Sequence, residues 1–203
     1  MEFYTDLITQ KSWEELKELK KLLNFVLIGG WATYLYTKTL KSKDIDIIVD
    51  FDKLPDLGKH YQLFKNNRLN KYEAVKNDVQ IDIYLPHYSK LGIPVEELIK
   101  NTESLGGFTV LKGNYLAALK IFTLQQRGRS NKGRKDLIDI LALINSGVVE
   151  LSKIKEISKI YNLQTSLDSL KVFLDETFEV KELNLNKHGF SRLKREIIKV
   201  LGG

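Results

Sequence analysis

The sequence predicts an α+β fold: a small mixed β-sheet flanked by helices over residues 1–112, followed by a C-terminal helical bundle over 113–203. Three observations carry this. Residues 79–85, Val-Gln-Ile-Asp-Ile-Tyr-Leu, alternate strictly between apolar and polar, as a half-buried strand does. Short apolar runs at 25–28 and 44–50 have strand length and are bounded by glycine or polar connectors. Beyond Gly113 only helical spacing recurs. Strands early and helices late mark an α+β core with a helical tail.

Taken in order, residues 3–23 carry Leu7, Trp13, Leu16, Leu19, Leu22 and Leu23 at helical spacing, with Ser12 as the expected N-cap and Glu15 completing a capping box. Residues 25–28 form a buried strand, Gly29-Gly30 turns the chain, and 31–39 resumes as helix. Lys41-Ser42-Lys43 connects to the second strand, 44–50. A proline-containing turn at 52–58 leads into a helix expected to run to about Asn66. A third strand centres on 72–75, Asn77-Asp78 is a hairpin turn, and Pro86 closes the alternating strand. A short helix at 93–101 and an extended piece at 106–111 complete the core. Helices are expected at 115–127, 134–145, 151–161, 163–176 and 187–201, with a basic, glycine-containing loop at 128–133.

Composition narrows the function. With 203 residues, 43% hydrophobic and 29% charged, the chain has the make-up of a soluble globular protein of one domain or two small ones. No apolar run approaches the roughly 20 residues needed to span a bilayer. The first residues lack a basic region followed by an apolar core, so no secretory signal is expected. The absence of cysteine excludes disulfides and cysteine-ligated zinc, and a cytoplasmic location is expected. A net charge of +6 favours polyanionic partners: nucleotides, RNA or DNA.

The candidate chemistry lies in Lys43-Asp-Ile-Asp-Ile-Ile-Val-Asp50. On a strand, Asp44 and Asp46 project side by side while Ile45, Ile47 and Val49 face the core. Two adjacent carboxylates cost stability unless a cation neutralises them, and a divalent ion with oxygen ligands does so. Asp82, on the polar face of the alternating strand, is the candidate third carboxylate, acting as general base or positioning an attacking hydroxyl. Three carboxylates on a rigid platform suit two Mg2+ ions that steady the entering and leaving oxygens of a phosphoryl transfer. Gly29 and Gly30, without Cβ atoms, let backbone approach a triphosphate, and the helix that follows offers its first N–H groups to phosphate. Each part alone reads more simply as an edge carboxylate or a plain turn; their joint order is what is specific.

That order, Leu27-Ile-Gly-Gly-Trp-Ala32 and then Asp44-Ile-Asp46, resembles the nucleotidyltransferase superfamily whose archetype is DNA polymerase β. The Gly-Gly-Trp-Ala form looks like two branches: the AbiEii-like branch, which includes toxins of toxin–antitoxin pairs, and the aminoglycoside and lincosamide adenylyltransferases. The segment Leu116-Ala-Ala-Leu-Lys120, then Arg127, then Arg134-Lys-Asp-Leu-Ile-Asp139 is similar to the AbiEii-like branch. The resemblance covers about residues 25–145. It implies a nucleotidyltransferase core, an NTP substrate with Mg2+ at Asp44, Asp46 and Asp82, and an acceptor that is an RNA such as tRNA, a protein or a small molecule. By the same resemblance Lys120 would contact nucleotide phosphates, Asp136 would position the nucleotide or the lysine, and a cognate antitoxin protein is an implied partner; Lys43 and Arg127 are further candidate nucleotide-binding residues. Trp31 stands where many members have serine, and Lys41, Ser42 and Lys43 where many have arginine and threonine. A non-catalytic nucleotide- or RNA-binding module on the same fold is the alternative outside enzymology.

Other features have plainer readings. Trp31 is expected to pack its helix on the sheet in preference to stacking on a base. His60, His87 and His188 fit no metal spacing and are expected at the surface. The basic loop with Arg127, Arg129, Lys132, Arg134 and Lys135 reads about equally as a solvated interhelical loop or as a contact for triphosphate or RNA backbone; Gly128 and Gly133, expected to make it mobile enough to close on a ligand, tilt the reading towards function. The basic amphipathic helix 187–199 is expected to present a solvated face.

Overall fold

The computed structural model describes residues 6–201. The chain divides into two compact units, 1–112 and 113–203. The first opens with helix α1 (Asp6–Leu22). Strand β1 (Val26–Ile28), helix α2 (Gly29–Thr37) and strand β2 (Ile45–Ile48) follow. A 3-10 turn (Phe51–Lys53) leads into α3 (Leu54–His60). Next come β3 (Leu63–Asn66), β4 (Lys71–Lys76), β5 (Val79–Tyr84), α4 (Val95–Lys100), β6 (Thr102–Leu105) and β7 (Phe108–Leu111). The strands make one mixed sheet in the order β3-β4-β5-β2-β1-β7-β6.

Alternation decides the faces. Ile45 and Ile47 of β2 and Ile81 and Ile83 of β5 are fully buried. The two strands pair in parallel, with Ile45 opposite Ile81 and Ile47 opposite Ile83. Each such side chain is worth about 1.5–3 kcal/mol on burial. That exceeds the roughly 0.2–1 kcal/mol at stake in a cross-strand charge pair, so the apolar face fixes the register. The β4–β5 hairpin turns through Asn77 (φ 52) and Asp78 (φ 66), the two positive φ values of a type I′ turn.

Several expectations need correction. The expected start of the first helix at residue 3 lies outside the described residues. Ser12 is no N-cap: it lies inside α1, buried, and its Oγ accepts the Trp31 indole N–H at 2.8 Å. Glu15 forms no capping box; it accepts the Tyr61 hydroxyl at 2.6 Å and pairs with Lys76 at 3.2 Å. Leu7 and Leu22 are exposed, whereas Leu16 and Leu19 are fully buried. Helix α2 begins at Gly29 itself, not after the glycine pair. Helix α3 stops at His60, and 63–66 becomes the edge strand β3, paired antiparallel with β4. Strand β6 was not foreseen; it pairs with β7 through a Gly106-Gly107 turn at positive φ. Trp31, 2% exposed, is a packing residue as expected, 4.9 Å from Trp13 between ring centroids.

The second unit is helical: α5 (Gly113–Arg127), α6 (Asn131–Asn145), α7 (Leu151–Ile160), α8 (Gln164–Glu176) and α9 (Lys187–Leu201). Its core includes Leu116, Leu124, Ile138, Leu141, Ile154, Leu167, Leu174 and Ile197. On α9, Phe190, Leu193, Ile197 and Leu201 are buried at helical spacing, and the intervening basic residues face outward. Among the described residues no helix is long and apolar enough to cross a membrane.

Replacing Ser12 by Ala leaves the buried Trp31 N–H without its acceptor. Urea unfolding should show a loss of about 1–3 kcal/mol. A change within the scatter of surface substitutions, roughly 0.5 kcal/mol, would show that the bond is not a structural one.

Candidate active site

The parallel register places Asp46 directly opposite Asp82. The antiparallel β4–β5 register places Glu73 opposite Asp82 on the other side. Glu73, Asp82 and Asp46 therefore form one cross-strand row, at strand spacings of about 4.8 Å. Asp44 precedes β2 and lies two residues from Asp46.

Gly29 has a more specific role than flexibility. In the β1–β2 ladder Ile28 pairs with Asp46, so the next residue meets the Asp46 side chain. A Cβ on Gly29 would stand 2.1 Å from Asp46 Oδ2, and its φ is +66°. Only glycine satisfies both constraints. Asp46 thus lies against the first residue of α2, whose N-cap residue, Ile28, supplies no side-chain cap. The backbone N–H groups of that turn, Gly30 included, carry the partial positive charge of a helix N-terminus. Such a turn is able to accept oxygen anions, the role expected of the glycine pair. Its lining differs from that of the 610 Å³ cavity between α1 and α2, which is walled by Trp13, Trp31, Tyr34 and Lys38 and includes none of Asp44, Asp46 and Asp82.

Asp82 has partners that its strand pattern alone does not reveal. Lys71 Nζ lies 2.5 Å from Asp82 Oδ2 and 3.0 Å from Glu73 Oε1. Gln80 donates to Asp82 Oδ1 at 2.8 Å, and Asn66 donates to Glu73 at 2.9 Å. Burial alone would pull the Lys71 ammonium down, but the hydrogen bonds and charges of Asp82 and Glu73 outweigh it and hold it above the usual lysine range. A signal for this row was present: counting back from the Asn77-Asp78 turn pairs residue 73 with residue 82.

The donor chemistry of Asp44 and Asp46 suits a hard divalent cation. The same test fails for a cation bound by all three carboxylates, since Asp82 already faces an ammonium. Among the described residues no group of three or more His, Asp or Glu side chains converges on a metal position. Lys43 precedes Asp44 in the connector and is half-buried.

The second motif forms an ionic lock inside the helical unit. Lys120 Nζ lies 2.9 Å from Asp136 Oδ1 and 2.7 Å from Asp139 Oδ2. Arg127 donates to Asp136 Oδ2 at 2.7 Å, and Lys135 pairs with Asp139 at 3.0 Å. Burial opposes both charges, yet the two aspartates hold Lys120 above the lysine range, and Lys120 with Arg127 holds Asp136 below the carboxylate range. Asp136 is thus ion-paired with both Lys120 and Arg127. The basic loop is shorter than expected, because α6 already begins at Asn131. Ser130 caps α6 by accepting the Gly133 N–H at 3.1 Å. Gly133 lies within α6, where a Cβ would stand 2.0 Å from the Gly128 carbonyl oxygen. Arg129 pairs with Glu176, and Arg134 lies 3.8 Å from Glu182. His60, His87 and His188 are exposed.

No protein-family model matches the sequence, and no curated protein matches it. Solved structures do. JHP933 from Helicobacter pylori aligns with 98% of this chain and 93% of its own, at 14% identity and a TM-score of 0.55. The antibiotic-resistance factor ANT(2'')-Ia aligns with 78% of this chain and 90% of its own, at 12% identity and a TM-score of 0.54. The fold is nucleotidyltransferase-like. An antigenic nucleotidyltransferase-like protein from Paracoccidioides brasiliensis also matches, over 82% of this chain and 93% of its own at 16% identity, but its TM-score of 0.44 is too low to add weight. At these identities the likeness concerns the fold, and a site on a nucleotidyltransferase-like fold has to be argued from its own side chains.

The Gly29 cradle gives a direct test. Gly29→Ala forces the new methyl into Asp46 and adds positive-φ strain, so urea unfolding should report a loss of about 2 kcal/mol or more. An unchanged midpoint would mean that Asp46 does not lie against Gly29.

Proposed function

We propose that this chain is a metal-dependent nucleotidyltransferase that moves a nucleoside monophosphate from an NTP to an acceptor hydroxyl. The observation that carries the proposal is the alignment of Asp46 with Asp82 across β2 and β5, beside the Gly29 cradle at the start of α2. Asp44 and Asp46 would hold Mg2+. A bound Mg2+ would supply charge neutralisation for the triphosphate and its pyrophosphate leaving group.

The chain's own groups do the rest. The N–H groups at the start of α2 bind phosphate oxygens and orient the triphosphate. Asp82, held by Lys71 and Gln80, faces the acceptor hydroxyl and takes its proton. The hydroxyl oxygen forms a bond to the α-phosphorus, the bond from that phosphorus to the β-phosphate bridging oxygen breaks, and pyrophosphate departs with the electron pair. Lys43, next to the first carboxylate in sequence, would meet phosphate. Lys120, Arg127 and Asp136 enter the proposal as a lock that keeps the second unit's charges satisfied.

The Lys120–Asp136–Asp139 pattern supports the AbiEii-like version, in which the acceptor is an RNA such as tRNA or a protein hydroxyl and a cognate antitoxin protein restrains the enzyme. The likeness to an antibiotic-resistance factor favours a second version, with a small-molecule hydroxyl as acceptor. Incubation with each α-32P-labelled NTP, Mg2+ and either total RNA or a panel of aminoglycosides separates them. Asp46→Ala should cut transfer by about 10²–10³-fold or more while circular dichroism stays unchanged. Undiminished labelling by that variant would remove this mechanism.

A further inference from the structure

The row Glu73–Asp82–Asp46 already contains a cation. Lys71 is 5% exposed, and its ammonium is bound between Asp82 and Glu73. Those two carboxylates are themselves braced, Asp82 by Gln80 and Glu73 by Asn66. Burying an ammonium is costly without such partners, and removing one partner of a buried pair is costlier still, so this amine is fixed in place. Its position matters because of the register. Asp82 is the cross-strand partner of Asp46, at a strand spacing of about 4.8 Å. Where two metal ions share a phosphoryl-transfer site they stand about 3.5–4 Å apart. A second ion bound through Asp82 would compete for the oxygen on which Lys71 Nζ now sits.

We propose that the Lys71 ammonium is the resident second cation of this site, so that the chain takes a single divalent ion at Asp44 and Asp46. Lys71 is a positioning residue: it shares its one positive charge between Asp82 and Glu73 and keeps the Asp82 carboxylate aimed along the row. A fixed ammonium cannot bridge phosphate oxygens as a metal ion does. It supplies charge and orientation only, and the carboxylate it holds stays available to an acceptor hydroxyl. This inference rests on the nucleotidyl-transfer reading of the same site, but it can fail while that reading stands.

The test counts metal without activity. Mn2+ alone is titrated into the full chain, and free Mn2+ is followed by electron paramagnetic resonance. The wild-type chain should bind one ion and Lys71→Arg one; Lys71→Met, with Asp82 and Glu73 left without a cation, should bind two. Asp46→Asn should weaken the wild-type site about tenfold or more, whereas Asp82→Asn should change it less than about threefold. Two ions on the wild-type chain, or one ion on a folded Lys71→Met, overturn the inference and leave nucleotidyl transfer intact. No bound ion, or an Asp46→Asn variant that binds as wild type does, overturns both. Should Lys71→Met not fold, the comparison of Asp82→Asn with Asp46→Asn decides: a tenfold loss in Asp82→Asn overturns the inference.

Discussion

The parallel pairing of β2 with β5 is the constraint on which the site depends. Four isoleucines, 45, 47, 81 and 83, are fully buried on one face of that pair. A slip of one residue would turn them to the polar face, at a cost of several kcal/mol. The carboxylates have no say in the register; they are carried on the opposite face by the packing of the isoleucines. The same logic extends to β1, where Ile28 pairs with Asp46 and thereby brings Gly29 against its carboxylate. Core packing, at the scale of a few side chains, is what turns two separated sequence motifs into one site.

Charge is handled differently in the two units. In the sheet unit, Lys71 neutralises one end of the row, and Asp46 and Asp44 lie at the other, next to the uncapped start of α2. On the proposed reading the Asp44–Asp46 end takes the divalent ion and the other end keeps the fixed ammonium. In the helical unit, Lys120, Arg127 and Lys135 meet Asp136 and Asp139 in a buried cluster. There Asp139 Oδ1 is buried without a hydrogen-bond partner among the described residues. A buried cluster of this kind fixes geometry more than it adds stability, because desolvation offsets most of the attraction. Lys120 is thus a satisfied residue within its unit.

Much of the fold was legible because local periodicity was strong. The alternation of 79–85, the Asn77-Asp78 turn and the helical spacing after Gly113 each report on short-range chemistry. The failures share a cause: the deciding partner was distant in sequence. Leu63–Asn66 became a strand because β4 offered an edge, not because its own pattern demanded one. Ser12 looked like a cap, and its true partner is the indole of Trp31. The glycines at 128 and 133 looked like hinges, and one of them is where α6 crosses close to the end of α5. For the site, Asp44 and Asp46 at the start of β2 and Asp82 of β5 were readable from alternation, and the structure puts Asp46 and Asp82 side by side. Lys71 was missed because a lysine on a strand reads as solvent-facing until the register brings Glu73 and Asp82 to it.

The most direct measurement of the central claim is a two-dimensional amide spectrum of the isotope-labelled chain with sub-stoichiometric Mn2+. Paramagnetic broadening falls off steeply with distance, so the ion reports its own position. Loss strongest at the Gly29, Gly30, Asp44 and Asp46 amides, fading across the sheet towards its edge strands β3 and β6, is the expected result. Broadening centred on Asp136 and Asp139, or scattered over exposed carboxylates with Gly29 and Asp46 untouched, would contradict a metal site built by the β2–β5 register.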